Sequence, residues 1–278
     1  MSVADSVRLL PLVVIAMNMH EDNPFSATPT ADPRLSPDWQ LLGHLTAVDA
    51  IWRGQPGQKV SFGFLARSTV DPNQYVVAIR GTDEFVEWVE DAIFDTVPHP
   101  VAGEVEAGFW GLYESLEYQG AALLGAPERA AEGIAAAVGP KGRVTVVGHS
   151  LGSALASYLT FDLAALMADR VSAALFASPR PGDAAFAQAF DKRVAHYTLF
   201  NYSLDAVPHV PFGLGYSALP QATVITPDAG RSRIRFDLFC GHHAVSYIAL
   251  LDPSILKTLT LQAPDSGYTT CIKGIANV

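Results

Sequence analysis

The arrangement of apolar segments along this chain predicts an α/β fold, in which helices cover both faces of a mostly parallel central sheet. Five short segments are predicted as strands, and the clearest of them, residues 75–79 (Tyr-Val-Val-Ala-Ile), is a continuous apolar run, a pattern typical of strands that are buried on both faces. Segments of helical length separate these strands. No linker or change of composition divides the 278 residues, so we expect a single domain over residues 1–278.

The first element is predicted at residues 9–17, an apolar run that contains Pro11. The run is shorter than the ~18 residues of a membrane span, and the A-x-A cleavage site of a signal peptide does not follow it. We therefore expect a core-packing element rather than a secretion signal. With no clear signal peptide and no transmembrane segment, the sequence predicts a protein that is cytoplasmic or secreted by a non-standard route.

The remaining elements follow in order. Residues 22–38 are rich in Pro, Ser, Thr, Asp and Asn, which indicates a surface loop. Buried strands are predicted at residues 60–66, 75–79, 143–147, 171–177 and 196–202. Helices are predicted at residues 105–138, 151–169, 182–192 and 244–251. Turn chemistry alone predicts a hairpin that joins residues 223–226 to residues 232–236.

The charge balance argues against two classes of function. The chain has 28 acidic and 18 basic residues and a formal net charge of −10. A nucleic-acid-binding protein needs a basic surface, and so does an electrostatic anchor on anionic lipid. A neutral, apolar substrate is compatible with this composition. The two cysteines, Cys240 and Cys271, are too few for a disulfide framework, and the sequence leaves open whether they form one bridge or two separate thiols.

Residues 148–152 read Gly-His-Ser-Leu-Gly and match the pattern G-x-S-x-G. A predicted strand precedes them and a predicted helix follows, which is the context of a nucleophile elbow, a sharp turn that exposes a serine. A Cβ atom at either flanking glycine would crowd the neighbouring strand and helix. The serine oxygen would lie at a helix N-terminus, which favours negative charge. Ser150 is therefore the candidate nucleophile.

A serine nucleophile needs a base and an acid that orients the base. After an elbow of this kind the chain order is Ser, acid, His. Asp205 follows the predicted strand 196–202 and so lies at the carboxyl end of a strand, where open α/β sheets place their sites. Asp183 also follows a strand, but its context is that of a helix N-cap. Asp205 is the preferred acid.

Three histidines after Asp205 are candidates for the base. His209 lies four residues beyond the acid, too close along the chain to turn back onto it easily. His242 and His243 lie just before the predicted helix 244–251. Spacing along the chain does not separate these two.

Five motifs occur in one order along the chain. They are residues 79–82 (Ile-Arg-Gly-Thr), 107–110 (Ala-Gly-Phe-Trp) with Tyr113, 148–152, 177–183 and 205–211. Together they resemble the class 3 lipase family of α/β-hydrolases, which includes the fungal-type triacylglycerol lipases. The resemblance covers residues 40–251 and is far more specific than the elbow alone.

The resemblance implies an α/β-hydrolase fold with a Ser-His-Asp triad. In many relatives the catalytic histidine lies five residues before a tyrosine of the last helix. His242 lies five residues before Tyr247 and His243 lies four, which favours His242. The chain departs from the family pattern at Ile79, Ala107 and Ser153, none of which is a catalytic group.

An oxyanion hole needs donors aimed at the oxygen that becomes negative. The backbone N–H of Leu151, the residue after the nucleophile, is one such donor. The resemblance implies that Thr82, just after the predicted strand 75–79, supplies a second backbone N–H.

Residues 83–97 follow the oxyanion segment directly. Phe85, Trp88, Val89 and Ile93 fall on one helical face and acidic residues mostly on the other, which predicts an amphipathic helix. Periodicity alone favours a fixed surface helix. The resemblance implies instead a lid over the nucleophile, and we predict a lid at residues 83–97.

The sequence contains no H-E-x-x-H, C-x-x-C, P-loop or EF-hand motif, so we expect no metal, nucleotide or organic cofactor. We interpret the chain as a serine carboxylic ester hydrolase for glycerides or fatty acyl esters. A transient lipid interface is the expected partner surface, and no nucleic-acid partner is expected. The alternatives are a feruloyl esterase or phospholipase A1 of the same family, or a non-catalytic lipase-like interaction module.

Overall fold

The computed structural model describes residues 2–48, 58–82, 94–120, 126–213, 215–227, 234–260 and 270–273. Its strands are β1 Trp39–Val48, β2 Lys59–Ser68, β3 Gln74–Ile79, β4 Thr96–Pro98, β5 Glu104–Glu106, β6 Glu117–Gly120, β7 Glu128–Arg129, β8 Arg143–His149, β9 Val171–Phe176, β10 Tyr197–Tyr202 and β11 Ala222–Ile225. Its helices are α1 Val3–Val7, α2 Leu10–Glu21, α3 Ala107–Glu114, α4 Ala130–Val138, α5 Leu151–Met167, α6 Ala184–Arg193, α7 Leu238–His242, α8 Ala244–Leu251 and α9 Pro253–Thr260.

Nine of these strands form one sheet in the order β11-β10-β9-β8-β3-β2-β1-β6-β7. The strands from β11 to β3 pair in parallel, while β2, β1, β6 and β7 extend the sheet in antiparallel pairs. Strands β4 and β5 form a separate antiparallel pair. Because the parallel strands end at the same edge, the segments that follow β3, β8 and β10 meet there.

Successive side chains of a central strand point to opposite faces of the sheet, and in β3 the side chains on both faces are apolar. Val76 and Ala78 of β3 join one apolar core, whereas Val77 and Ile79 join the other. Helices α2 and α8 pack on the first core, and α3 to α6 pack on the second. A strand that is buried on both faces has a continuous apolar sequence. The predicted α/β fold with helices on both faces is confirmed.

Helix α2 contains the apolar run predicted at residues 9–17 and buries Leu10, Val13 and Ile15, as expected for a core-packing element. Two stretches of the described chain, Val3–Glu21 and Leu151–Arg170, are long and apolar enough to cross a membrane. In the fold, 56% of the most apolar 18-residue window is buried in the first stretch and 78% in the second. Both stretches therefore contribute to the two cores described above.

Strand pairing overrides the local pattern in three places. The predicted helix 105–138 is two helices, α3 and α4, because β6 pairs with the open edge of β1. The predicted hairpin is wrong: β11 pairs in parallel with β10, and Ile234 pairs with Ile272. Strand β1 was not predicted, since Gly43 and polar residues interrupt its apolar pattern.

The predicted lid segment, residues 83–97, lies outside the described residues as far as residue 93. Its end differs from the prediction. Thr96–Pro98 forms strand β4, which pairs with Glu104–Glu106, so the helical pattern does not extend to residue 97. Pairing of β4 with β5 gives hydrogen-bond partners to the backbone N–H and C=O groups of residues 96–98. At the end of a helix, some of these groups would have no partner within the helix.

Candidate active site

Ser150 alone forms the turn between strand β8 and helix α5. Its φ of 59° and ψ of −131° lie where residues with a Cβ are rarely found, and such strain persists only where the surroundings impose it. Here the Ser150 N–H donates to the carbonyl of Phe176, at 3.1 Å, at the end of the neighbouring strand β9. The sharp strand-to-helix turn that the sequence predicted around Ser150 is therefore present in the fold.

The two flanking glycines are required by close backbone contacts. A Cβ on Gly148 would collide with the carbonyl of Gly152, and a Cβ on Gly152 would lie 2.5 Å from the carbonyl oxygen of Arg80. Because these neighbours are backbone atoms of packed elements, they have little freedom to move. Glycine at both positions is thus a steric requirement of the turn.

Three of the predicted site residues form a chain of hydrogen bonds. Ser150 Oγ lies 2.7 Å from His242 Nε2, and His242 Nδ1 lies 2.9 Å from Asp205 Oδ2 and 3.1 Å from Oδ1. All three side chains are buried. The structure thus brings Ser150, Asp205 and His242 together, although 92 residues separate the serine from the histidine.

Asp205 is held by donors on both of its carboxylate oxygens. The Val207 N–H donates to Oδ1 at 2.9 Å, and the Tyr247 hydroxyl donates to Oδ2 at 2.7 Å. The same hydroxyl accepts from the Tyr202 N–H at the end of β10. Burial, and then the Asp205 carboxylate, raise the pKa of Tyr247 well above its ordinary value, so the phenol stays a donor. From the sequence, Tyr247 indicates only the spacing of the candidate base, and its contact with Asp205 is not predicted.

His242 is the last residue of α7, a helix of five residues. The Asp237 side chain caps this helix by accepting from the Cys240 N–H. Cys240 also forms a disulfide with Cys271, which answers the question that the sequence left open. The Arg235 N–H donates to the Cys271 carbonyl, so the segment that carries the histidine is tied to residues 270–273.

The rejected candidates have other partners. His243 accepts from the Val245 N–H at the start of α8, and its ring lies 5.3 Å from that of Phe239. Asp183 caps α6 by accepting from the Phe186 N–H at 2.7 Å, as its sequence context predicted. His209 lies exposed in a 3₁₀ turn.

The segment after β3 packs directly against the elbow. A Cβ on Gly81 would lie 3.2 Å from the Cβ of Ser150, so Thr82, the next residue, follows a point of contact with the nucleophile. Leu151 is the first residue of α5, and its N–H therefore has no acceptor within the helix. Both predicted oxyanion donors belong to segments that adjoin Ser150.

Arg80, which the sequence analysis did not single out, is buried beneath this segment. Its Nε donates to the Ser61 carbonyl at 2.8 Å and its Nη1 donates to the Gly81 carbonyl at 2.9 Å. The guanidinium also lies 4.3 Å from the ring centroid of Phe62. Because charge-assisted hydrogen bonds are strong, the buried guanidinium ties the Gly81 carbonyl, just after β3, to Ser61 of β2 and so holds the segment before Thr82 in place.

The predicted lid residues Phe85, Trp88 and Val89 lie outside the described residues. Large apolar side chains are nevertheless exposed on segments next to the site, and these are Leu204, Phe212, Phe236, Leu238 and Phe239. Within the described ranges, no group of three or more His, Cys, Asp or Glu side chains could hold a metal ion.

A family model matches part of the chain. The family model described as lipase (class 3) matches residues 76–214, half of the chain. The matched range includes Ser150 and Asp205 and ends before His242.

Proteins of a plant and a fungus are also similar in sequence to part of this chain. Phospholipase A1-II 7 of Oryza sativa subsp. indica is 35% identical over 211 residues, which cover 63% of this chain and 49% of that protein. Secreted mono- and diacylglycerol lipase A of Penicillium camembertii is 28% identical over 186 residues, which cover 62% and 58%. This chain thus spans about half the length of these relatives.

Solved structures share the fold. The Rhizomucor miehei triacylglyceride lipase aligns with a TM-score of 0.57 and 19% identity, covering 81% of this chain and 80% of that one. The M37 lipase aligns with a TM-score of 0.59 and 18% identity, covering 84% of each chain. These structures have the α/β-hydrolase fold that the sequence predicted.

Proposed function

The chain belongs to the class 3 lipase family, and from this premise we propose that it is a serine carboxylic ester hydrolase that acts on fatty acyl esters such as glycerides. The proposal rests on one observation. Ser150, His242 and Asp205 form a continuous chain of hydrogen bonds at the carboxyl edge of the parallel strands. A nucleophile, a base and an acid that orients the base need this arrangement.

In the proposed reaction, Ser150 Oγ attacks the ester carbonyl while His242 Nε2 takes its proton. Asp205 accepts the Nδ1–H of the ring and stabilises the imidazolium that forms. His242 then protonates the leaving alcohol, which gives an acyl-enzyme. A water molecule, deprotonated by the same Nε2, attacks the acyl-enzyme and releases the carboxylic acid with Ser150 restored.

The tetrahedral oxyanion would accept from the backbone N–H groups of Leu151 and Thr82. Each donor of this kind contributes about 3–4 kcal/mol to stabilisation of the transition state. The proximity of Gly81 to Ser150 and the position of Leu151 at the start of α5 support these two assignments.

Three findings support a neutral, apolar ester as the substrate. The chain has a net charge of −10, which disfavours strongly anionic substrates. Exposed apolar side chains such as Phe236 and Phe212 lie on segments next to the site. The named relatives are a mono- and diacylglycerol lipase and a phospholipase A1, so phospholipid hydrolysis is the second candidate.

The lid remains a proposal from sequence, with Phe85, Trp88 and Val89 as its apolar face. A lid would bury that face over the site in water and release it at a lipid surface. Activity that rises more than hyperbolically as an ester passes its solubility limit would support a lid, and simple saturation would count against it.

The experiment that tests the function compares Ser150→Ala with Ser153→Ala on p-nitrophenyl esters of graded chain length. We expect Ser150→Ala to lower kcat by on the order of 10⁴-fold or more, because the nucleophile is lost. Ser153 is a buried serine three residues further on whose hydroxyl has no hydrogen-bond partner in the described chain, so its variant should remain active. A Ser150→Ala protein with a tenth of wild-type turnover would overturn the assignment.

A further inference from the structure

His149 lies beside the nucleophile and contacts the base, yet the proposed reaction gives it no role. Its side chain is buried, and its ring centroid lies 4.8 Å from that of His242 and 5.6 Å from that of Tyr247. Its Nε2 lies 2.7 Å from the backbone carbonyl oxygen of His242. A carbonyl oxygen can only accept, so Nε2 must carry the proton in this contact.

The carbonyl of His242 needs such a donor because of where it lies. His242 is the last residue of α7, and His243 leaves the helix with ψ near 137°. The last carbonyls of a helix have no intrahelical donor, and a buried carbonyl without a donor is costly. His149 supplies that donor from a different element, strand β8.

We propose that His149 is a positioning residue, which holds the backbone of the base at a set distance from the nucleophile through its hydrogen bond to the His242 carbonyl. The bond joins His242 to the residue directly before Ser150. Any movement of α7 away from the elbow would therefore have to break it. The inference rests on the proposed function, since it assigns a role within that same site.

The ring of His149 must be neutral to act in this way without opposing the reaction. A second positive charge beside His242 would disfavour the imidazolium that forms when the serine proton is taken. Burial, and then the neighbouring His242 and His243, lower the pKa of His149 well below its ordinary value. The neutral ring with its proton on Nε2 satisfies both requirements.

The test compares two variants of nearly equal shape, His149→Gln and His149→Met. The Gln side chain can place an N–H donor close to the position of Nε2, whereas Met fills similar space without a donor. We expect His149→Met to lower kcat about 10- to 100-fold, a loss of the size that follows from misplacing a catalytic group. KM should be unchanged, and His149→Gln should recover most of the lost kcat.

His44→Met is the matched control, because His44 is also buried but lies in β1, three places from β8 in the sheet. Equal kcat values for the folded His149→Met and His149→Gln proteins would overturn the proposal, whether both match the wild type or both are slow. Wild-type protein is assayed in parallel. If it neither turns over esters nor reacts with a fluorophosphonate, the proposed function fails, and that outcome is distinct from failure of this inference.

A second measurement needs no variant. The ¹⁵N chemical shifts of the His149 ring in wild-type protein report which nitrogen carries the proton. We expect a neutral ring protonated on Nε2. A ring protonated on Nδ1 alone could not donate to the His242 carbonyl and would overturn the proposal, whether or not the variants fold.

Discussion

Ser150 and His242 meet at 2.7 Å, but the chain brings each of them to that point by different means. The nucleophile side, residues 143–157, is a strand, one strained residue and the start of a long helix, all within the central sheet and core. The base side, residues 234–247 with residues 270–273, carries His242 on a helix of five residues. A local motif builds the first, and contacts between distant segments build the second.

The difference has a physical cause. A turn between a central strand and a core helix is held by the whole sheet, so close backbone contacts at Gly148 and Gly152 suffice to set its shape. A helix of five residues is not stable alone. The base side therefore depends on the Asp237 cap, the Cys240–Cys271 disulfide, the bond donated by His149 and the bonds that join Tyr247 to Tyr202 and Asp205. Substitutions at the glycines that shape the nucleophile side should therefore act mainly on stability, whereas substitutions that loosen the base side should also lower turnover.

The largest expected effect is on kcat, and it should differ between the two adjacent histidines of the base side. His242→Ala should lower kcat by on the order of 10⁴-fold or more, because triad members act as a unit. His243→Ala removes a helix cap, which is worth about 1 kcal/mol of stability, and should leave turnover within a few-fold of wild type. Ester hydrolysis and thermal unfolding measured on both variants check this. The reverse pattern would assign the base to His243.

Loss of the disulfide should have the next largest effect. The Cys240→Ser, Cys271→Ser double variant opens a link across 31 residues, which should cost about 3–4 kcal/mol of unfolding free energy. Because the link adjoins His242, kcat should also fall at temperatures where the protein is folded, while KM is retained. Denaturant unfolding and steady-state kinetics provide the measurements. A variant with wild-type turnover and lowered stability would show that the disulfide does not position the base.

The smallest expected effect concerns the nucleophile side. Gly152→Ala would push a Cβ to 2.5 Å from the carbonyl oxygens of Ile79 and Arg80, so we expect a loss of about 2–3 kcal/mol in unfolding free energy from overpacking. Gly111→Ala is the matched control. Gly111 lies in α3 with nothing within 4 Å of an added Cβ, and helix propensity favours alanine there by about 1 kcal/mol. Equal stabilities of the two variants would contradict the steric argument for the elbow.

The same division separates what could be predicted from what could not. The elbow at residues 148–152, the buried strands β3, β8, β9 and β10 and the acid Asp205 were all predicted, because each depends on a local pattern or on strand order. The helix 105–138 and the hairpin after residue 223 were predicted wrongly. There, pairing of β6 with β1 and of β11 with β10 decided the outcome, and no local pattern reports which strand has an open edge.

From the sequence alone came the α/β class and the selection of Ser150 and Asp205 as candidate nucleophile and acid, because apolar periodicity and a strand-turn-helix motif act over a few residues. Spacing along the chain could not separate His242 from His243, nor decide whether Cys240 and Cys271 pair. Nor does the sequence show which groups the side chains of Tyr247, Arg80 and His149 bind, although Arg80 and His149 lie within the motifs at residues 79–82 and 148–152. Those outcomes depend on which distant segments pack together, since the contacts among Ser150, Asp205, His242 and His149 join residues 37 to 93 positions apart. Arg80 binds a carbonyl 19 positions away. Only the tertiary structure brings the separate segments to one edge of the sheet.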